Sequence, residues 1–424
     1  MSATGTRAGA TRRPALGRIA AARDALGAAA ASRLLVWVAG LVAFWTVPLS
    51  GWQRSDPTRL TQRLGEVGGA LGAPAVRWDA QWYVAIARHG YESSTDLAFL
   101  PLYPLLSRTV GTLTGGSEIV GAVLVSLAAF AAALVLLHRL TRLELGDAIA
   151  RRTVWLLAFF PAAVFFSAVY TEALFLALSV GAIYAARRGR WAWAGAIGAA
   201  AALTRNTGVI VLLPILLLYL YGPRDDVAPA DPAAAPGRGG WRPRHALGRD
   251  AAWLLLIPAG LALFGAYSWI FFGTPFATLD AQGQFEREFA GPLSALWYAA
   301  GDAVGAVGTL IGVGGDGETA GAALRTLALT GGVIFAVVAA IGALRRLPVA
   351  YGAYAVAALI PPLSTPWPEH PLWSTPRFVA VLFPVFMWLA WRLRDRRAYL
   401  AVLGVFALGL AYCAARFATW HWVA

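Results

Sequence analysis

Residues 76–92, VRWDAQWYVAIARHGYE, set Asp79 directly after Trp78 and four positions before Tyr83, with His89 near the end of the stretch. A positioned carboxylate can take the proton from a hydroxyl group as that oxygen attacks carbon. The same Asp79 stands where a helix would begin, and there a carboxylate accepts hydrogen bonds from free backbone N–H groups, with Gly90 as the matching C-terminal cap. Spacing allows both readings. His89 fits a proton carrier, a phosphate contact or an ordinary interfacial residue. In YTEALF, Tyr170 precedes Glu172 in an apolar setting, and an ionisable group at the bilayer centre costs about 2.5 kcal/mol or more. Glu172 therefore either opens a helix, where the macrodipole favours it, or receives substrate hydroxyls. Arg205 in LTRN and Arg377 in STPRF are isolated cations among apolar residues. Their planar forks match phosphate oxygens, and equally a carboxylate such as Glu172 or Asp280. Asp280, Gln282 and Gln284 in TLDAQGQF would hydrogen-bond a sugar or merely solvate a loop.

These residues must be held by membrane-spanning helices. The chain of 424 residues is 58% hydrophobic and 13% charged, against about a quarter charged in soluble domains. Apolar runs at 33–50, 119–140, 153–169, 172–187, 191–205, 207–221, 251–272, 319–344, 348–363, 377–391 and 398–415 predict about eleven spans in one domain, 33–424, after a basic tail at 1–32. Segments 51–118, 273–318 and 364–376 are expected on the extracytoplasmic side, and the Pro/Gly/Arg-rich 222–250 on the cytoplasmic side. Trp78, Trp82 and Ile86 recur at helical spacing, which predicts a helix lying at the membrane surface with its Trp face buried and Asp79 at its edge. LAFLPLYPLLSR at 97–108, broken by Pro101 and Pro104, reads as re-entrant or surface-lying.

All 35 basic residues are Arg, and the net charge is +13. In a soluble protein that balance would suggest nucleic acid. Here the Arg residues cluster before the first run (Arg7 to Arg33) and in alternate connections, at 139–152, 187–190, 224–249, 345–346 and 392–397. Positive loops stay cytoplasmic, so the charge reports topology, with a cytoplasmic N-terminus and contact with anionic membrane lipids as a secondary effect. No nucleic-acid partner is implied. LLVWVAGLVAFWTVPL reads as an uncleaved first helix, since no small-x-small site follows it. The single Cys413 excludes an internal disulfide. P-loop, dinucleotide, HExxH and DxD motifs are absent, which excludes ATP-driven transport by this chain alone and zinc proteolysis.

RWDAQWYVAIARHGY, LAFLPLYPLL, PAAVFFSAVYTEALF, LTRNTGV, GTPFATLDAQGQF and STPRFVAVLFP, in that order along about residues 77–384, resemble the PIG-V family. The family's Trp-Asp falls on Trp78-Asp79 and its IAxxGY on Ile86, Ala87, Gly90 and Tyr91. Its Tyr-Ser-Glu falls on Tyr170-Thr171-Glu172, with Thr in place of Ser, and its Pro-Arg-aromatic on Pro376-Arg377-Phe378. The resemblance implies an all-α polytopic GT-C-like bundle with extracytoplasmic interfacial helices. It also implies an inverting transferase that moves mannose from a polyprenyl-phosphate sugar to a lipid or glycan acceptor on the extracytoplasmic face. In that scheme Asp79 is the base, Arg377 and Arg205 neutralise the departing phosphate, and Glu172 orients sugar or acceptor. No cofactor is implied, and a divalent metal is permitted but not required. The Arg-only, Ala-rich chain looks like one from a bacterial cell envelope, so the acceptor does not carry over. Two other classes remain open: a lipid-linked-sugar flippase or other secondary transporter, which needs broken helices near mid-membrane, and a scaffold for other envelope enzymes.

Overall fold

The computed structural model describes residues 12–50, 58–61, 64–226, 243–283, 289–313, 319–367 and 370–423. The first half runs α1 (Arg12–Thr46), α2 (Gly65–Gly72), α3 (Ala80–His89), α4 (Leu102–Leu113), α5 (Glu118–Leu145), α6 (Asp147–Phe159), α7 (Glu172–Arg187), α8 (Trp191–Ala202) and α9 (Leu212–Tyr221). The second half runs α10 (Leu256–Phe272), α11 (Ala277–Gly283), α12 (Ser294–Leu310), α13 (Ala320–Arg346), α14 (Val349–Ser364), α15 (Thr375–Ala380), α16 (Phe383–Arg392) and α17 (Arg396–Ala418). Short 3-10 turns at Thr95–Ala98, Pro161–Phe166, Asn206–Val211 and Arg249–Leu255 connect them, and no strand occurs among the described residues. Among the described residues, Ser117, Thr319 and Asp395 cap their helices by accepting from the Val120, Ala322 and Ala398 N–H groups. Each cap satisfies a backbone donor that the first helical turn leaves free.

Among the described residues, five helices are long and apolar enough to cross a membrane: Ala22–Thr46, Glu118–Leu145, Arg249–Phe272, Ala320–Arg346 and Arg396–Ala418. The chain is thus an all-helical, multi-pass membrane protein, but several of the expected spans are shorter or broken. The run at 153–169 ends as α-helix at Phe159, because Pro161 lacks an N–H and forces Phe160 into extended backbone (φ −54°, ψ 139°). The run at 377–391 divides into α15 and α16, with Pro384 in the first turn of α16. In the other direction, α1 starts far ahead of the expected 33–50, inside the supposed tail. Its Ala-rich lead-in is strongly helix-forming without being a long apolar run.

Two ends of the bundle are chemically distinct. At one, Arg187 pairs with Glu144 (2.7 Å) and Asp225, and Tyr351 donates to Glu144 (2.9 Å). Arg152 donates to the carbonyls of Leu393 and Arg394, and Arg151 pairs with Asp24 (3.2 Å). Most of the expected basic connections are therefore neighbours in space. Arg33 is an exception, because it is buried within α1 and donates to the Ala163 carbonyl (2.7 Å) and the Ser167 hydroxyl (2.8 Å). It braces the turn that breaks the α6–α7 connection.

Helix α3 belongs to the opposite end, since Asp79 just before it reaches the Glu172 end of α7 through Arg377. Helix α4 packs along α5 so closely that a Cβ on Gly121 would lie 2.2 Å from the Ser107 carbonyl. Tyr103 fixes that contact by a hydrogen bond to Ala122 O (3.0 Å) and a second with Ser126 Oγ (2.8 Å). Helix α7 spans the bundle: its 16 residues, from Glu172 to Arg187, are about 24 Å long.

Candidate active site

Four charged side chains from distant parts of the sequence meet at the start of α7. Glu172 is its first residue, 0% exposed, in the first turn where the positive end of the helix dipole favours a carboxylate. Arg205, in the break between α8 and the 206–211 turn, places Nη1 2.6 Å from Glu172 Oε1. Arg377, in the first turn of α15, lies 3.2 Å from the same oxygen through Nε and 2.8 Å from Asp79 Oδ2 through Nη1. The result is a chain of alternating charge, Asp79, Arg377, Glu172, Arg205, with no net charge. Asp79 and Glu172 thus share one guanidinium.

The two meanings of Asp79 are now separable. It does occupy the position before α3, but its side chain makes no capping hydrogen bond and turns to Arg377. Gly90 does end the helix, at φ 83°, a conformation that costs glycine little. Tyr170 locks the approach, because its hydroxyl accepts from Asp79 N–H (3.1 Å) and donates to the Arg77 carbonyl (3.2 Å). Arg77 itself is buried and donates to the carbonyls of Ala418 and Val76. The Arg377 guanidinium lies over the Tyr170 ring at 5.3 Å and that of Arg205 over Phe378 at 4.9 Å, geometry in which the ring faces attract the cations.

Tyr83 closes one side, in edge contact with Phe99 and Tyr103 and tilted against Tyr170. Burial, and then the charge of Glu172, hold its phenol well above the usual value. The buried stripe of α3 is Ala80, Tyr83, Val84, Ile86 and Ala87 rather than Trp78, Trp82 and Ile86. Trp82 is half-buried and stacks on Phe99 at 5.6 Å. Trp78 precedes the helix in the left-handed region (φ 56°), and its ring meets Trp420 and Trp422 edge-on at 5.5 and 5.3 Å. Buried polar atoms here without a hydrogen-bond partner include Trp78 Nε1, Trp422 Nε1, Glu172 Oε2 and Arg377 Nε, the last held near Glu172 Oε1 by charge at 3.2 Å. Asp79 is 27% exposed, and its Oδ1 accepts no hydrogen bond from the described residues.

Of the expected site residues, Asp79, Glu172, Arg205, Arg377, Trp78, Tyr83 and Tyr170 come together. His89 does not: it is exposed in the last turn of α3. Asp280 does not either; it is exposed on α11 and accepts from Thr274 Oγ1 (3.1 Å). Gln282 is on α11 but its side chain is outside the described residues, as is Gln284 altogether. Sequence reasoning overlooked the cavity beside the cluster. Its volume is about 540 Å³, its walls come mainly from α13, α15 and α17, and its lining includes Pro376, Trp422, His370, Arg325 and Arg416. It reaches the neighbours of both Arg377 and Asp79, since Pro376 precedes the first and Trp422 packs on Trp78. Arg416 Nε is buried there without a partner. Among the described residues, no group of three His, Cys, Asp or Glu side chains gathers that could hold a metal ion.

Residues 56–216 match the sequence model of the family described as Mannosyltransferase (PIG-V). GPI alpha-1,6-mannosyltransferase 2 of Mus musculus is 32% identical over 222 residues, 49% of this chain and 43% of that protein. GPI mannosyltransferase 2 of Cryptococcus neoformans is 29% identical over 160 residues, covering 35% of this chain and 38% of its own length. The Homo sapiens GPI alpha-1,6-mannosyltransferase 2 is 35% identical over 148 residues, 32% of this chain and 29% of that protein. The chain thus spans less than half the length of these curated relatives, and no solved structure matches it. The matched segment contains Asp79, Tyr170, Glu172 and Arg205, with Arg377 joining them from outside it, and over that segment the chain is similar to the PIG-V mannosyltransferases.

Proposed function

We propose that this protein is a membrane mannosyltransferase that moves a sugar from a polyprenyl-phosphate donor to a hydroxyl of a lipid or glycan acceptor, inverting the anomeric centre. The observation that carries the reading is the Asp79–Arg377–Glu172–Arg205 chain with a carboxylate oxygen left without a hydrogen bond at each acidic member, beside a largely apolar cavity that Pro376 and Trp422 line. In the reaction the acceptor oxygen attacks C1 of the sugar from the face opposite the phosphate. Its proton passes to Asp79 Oδ1, the C1–O bond to phosphate breaks, and polyprenyl phosphate departs with the bonding pair. Glu172 Oε2 and Trp78 Nε1, both buried and unpartnered, suit a hydroxyl and an oxygen of the sugar.

The charge balance refines the part played by arginine. Arg377 and Arg205 are already neutralised by Asp79 and Glu172, so their task is to aim the carboxylates and to lend partial positive charge. Arg325 and Arg416 line the cavity and have no ion-pair partner among the described residues. They suit the donor phosphate, with the apolar walls taking the first isoprene units. Among the described residues, Asp302 is the one carboxylate in the same lining, and the His421 imidazole nearby is lowered by burial first and then by Arg416. This end of α7 is opposite the Arg187 end; if basic connections face the cytoplasm, transfer occurs on the extracytoplasmic face.

A purified preparation in vesicles, supplied with polyprenyl-phosphate mannose, tests the reading. Wild type is expected to transfer mannose to lipids or glycans extracted from its source membrane, and a strain lacking the gene to lose the product. If Asp79→Asn transfers at the wild-type rate, Asp79 is not the base. The second reading, a lipid-linked-sugar flippase, draws on the buried 3-10 turn at Pro161–Phe166, which interrupts the helical path between α6 and α7. It predicts donor translocation without any glycosidic product.

A further inference from the structure

A second cavity, of about 560 Å³, opens between α5, α7 and α8 at the Arg187 end of the bundle, away from the carboxylate cluster. Arg139 and Arg142 from the last turns of α5 and Arg188 and Arg190 from the α7–α8 turn line it, and no Asp or Glu does among the described residues. Two of the four are partly neutralised from outside the cavity: Arg188 by Asp225 (2.6 Å) and Arg142, at 3.8 Å, by Asp147. Arg139 and Arg190 have no ion-pair partner among the described residues.

The positions of these cations discriminate between a structural and a binding role. Helix C-termini attract cations, so the ends of α5 and α7 account for Arg142 and Arg188 without any ligand. Arg190 stands immediately before the N-terminus of α8, where the dipole repels a cation, and offers no side-chain cap there. An anion in the cavity would accept hydrogen bonds from Arg190 and favour the α8 N-terminus at the same time. The floor is apolar, made by Leu136 and Ile197 across Gly181, whose Cβ position is 3.5 and 3.6 Å from them. Trp193, 65% exposed, stands at the rim together with Tyr184, the amphipathic aromatics found at the headgroup level of a bilayer.

We infer that this cavity binds the phosphate of one anionic phospholipid, with the headgroup among Arg139, Arg142, Arg188 and Arg190 and the first chain methylenes on Leu136 and Ile197. The shared chemistry is a phosphate anion. The apolar floor and rim Trp favour a lipid over free phosphate, and basic pockets between spanning helices bind such headgroups. The inference is independent of the transfer reaction.

The test is native mass spectrometry of the full chain in detergent, offered phosphatidylglycerol, phosphatidylcholine with the same chains, or inorganic phosphate. Wild type is expected to retain one phosphatidylglycerol and to release phosphatidylcholine. Arg139→Gln/Arg190→Gln should weaken phosphatidylglycerol on the order of thirty-fold, from two cations lost near the headgroup. Arg396→Gln/Arg397→Gln, which removes as much charge from the exposed start of α17, should leave it unchanged. Should the first glutamine pair not yield a monodisperse protein, Arg139→Lys/Arg190→Lys carries the test and must keep the preference for phosphatidylglycerol. Equal retention of both lipids, equal weakening by both glutamine pairs, or inorganic phosphate binding as tightly as lipid would each overturn the inference.

Discussion

Arg377→Gln, taken with Asp79→Asn, separates the structural from the chemical work of the cluster. Arg377 is 13% exposed and serves two carboxylates, Asp79 at 2.8 Å and Glu172 at 3.2 Å. Its removal leaves Glu172 with Arg205 at 2.6 Å but leaves Asp79 without a partner. Breaking a buried ion pair from one side costs about 3–5 kcal/mol. Because Asp79 is 27% exposed and can be partly hydrated, the low end, about 3 kcal/mol, is expected. Asp79→Asn alone costs less, about 1.5 kcal/mol for a weakened charge-assisted hydrogen bond, since Arg377 still has Glu172. The double variant removes one charge of each sign and strands none, so its loss should fall short of the sum by about 1–3 kcal/mol.

Transfer should behave differently. Loss of the base costs about 10²–10⁴-fold in rate, and restoring neutrality cannot return a proton acceptor. The double variant should therefore recover part of the stability and none of the activity. The stability arm is read as the midpoint of tryptophan emission on heating. A deficit of 1 kcal/mol moves such midpoints by about 2–4 °C in domains of roughly 200 residues and by less in larger chains, so a recovery of a few degrees is the signal. Strict additivity of the two single losses would mean that Asp79 and Arg377 are not bonded in the membrane-embedded protein. Regained transfer in the double variant would remove Asp79 from the mechanism.

Glu172→Gln should lower transfer by at least about 10²-fold if Oε2 receives a substrate hydroxyl strengthened in the transition state; unchanged KM and kcat would assign Glu172 to structure alone. Gly121→Ala places a methyl 2.2 Å from the Ser107 carbonyl, so α4 must shift, at about 1–3 kcal/mol, seen as a lower thermal midpoint; an unchanged midpoint would contradict the α4–α5 contact. The phenol of Tyr83 is raised by burial, so above about pH 10 the unfolded chain loses this proton while the folded one keeps it, and stability must fall as pH rises. Tyr83→Phe should flatten that alkaline decline in a denaturation series, and a steeper decline would refute the assignment. Arg416→Gln should raise the KM for a polyprenyl-phosphate sugar more than it lowers kcat, because phosphate is held in both ground and transition states.

The members of the cluster were legible before any fold was known because each is an ionisable or hydroxyl-bearing residue set in apolar sequence, where burial without a partner is costly. What spacing could not supply was their pairing. Arg205 and Arg377 fitted phosphate and carboxylate equally well, and only the approach of α7 to α15 shows both guanidiniums on Glu172 Oε1. Asp79 shows the same limit, since a residue can occupy the capping position and spend its carboxylate elsewhere. His89 and Asp280 were drawn in by residue type, but one is exposed at a helix end and the other bonds within its own turn. The span pattern failed at Pro161 and Pro384 for a related reason. Hydropathy sums over a window and does not register a missing N–H, although those prolines were visible in FFPAAV and VLFP.

Arg33 and Arg77 escaped a rule that treats arginine as a marker of the aqueous side, because backbone carbonyls freed by the broken helices can bury a guanidinium at no net loss of hydrogen bonds. That exception sharpens the reading of the remaining arginines. Where an Arg inside this bundle has carbonyls or carboxylates within reach, it organises the fold or aims a carboxylate. Where it borders a cavity with a buried Nε and no acceptor, as Arg416 does beside the cluster, a ligand oxygen would supply the missing acceptor.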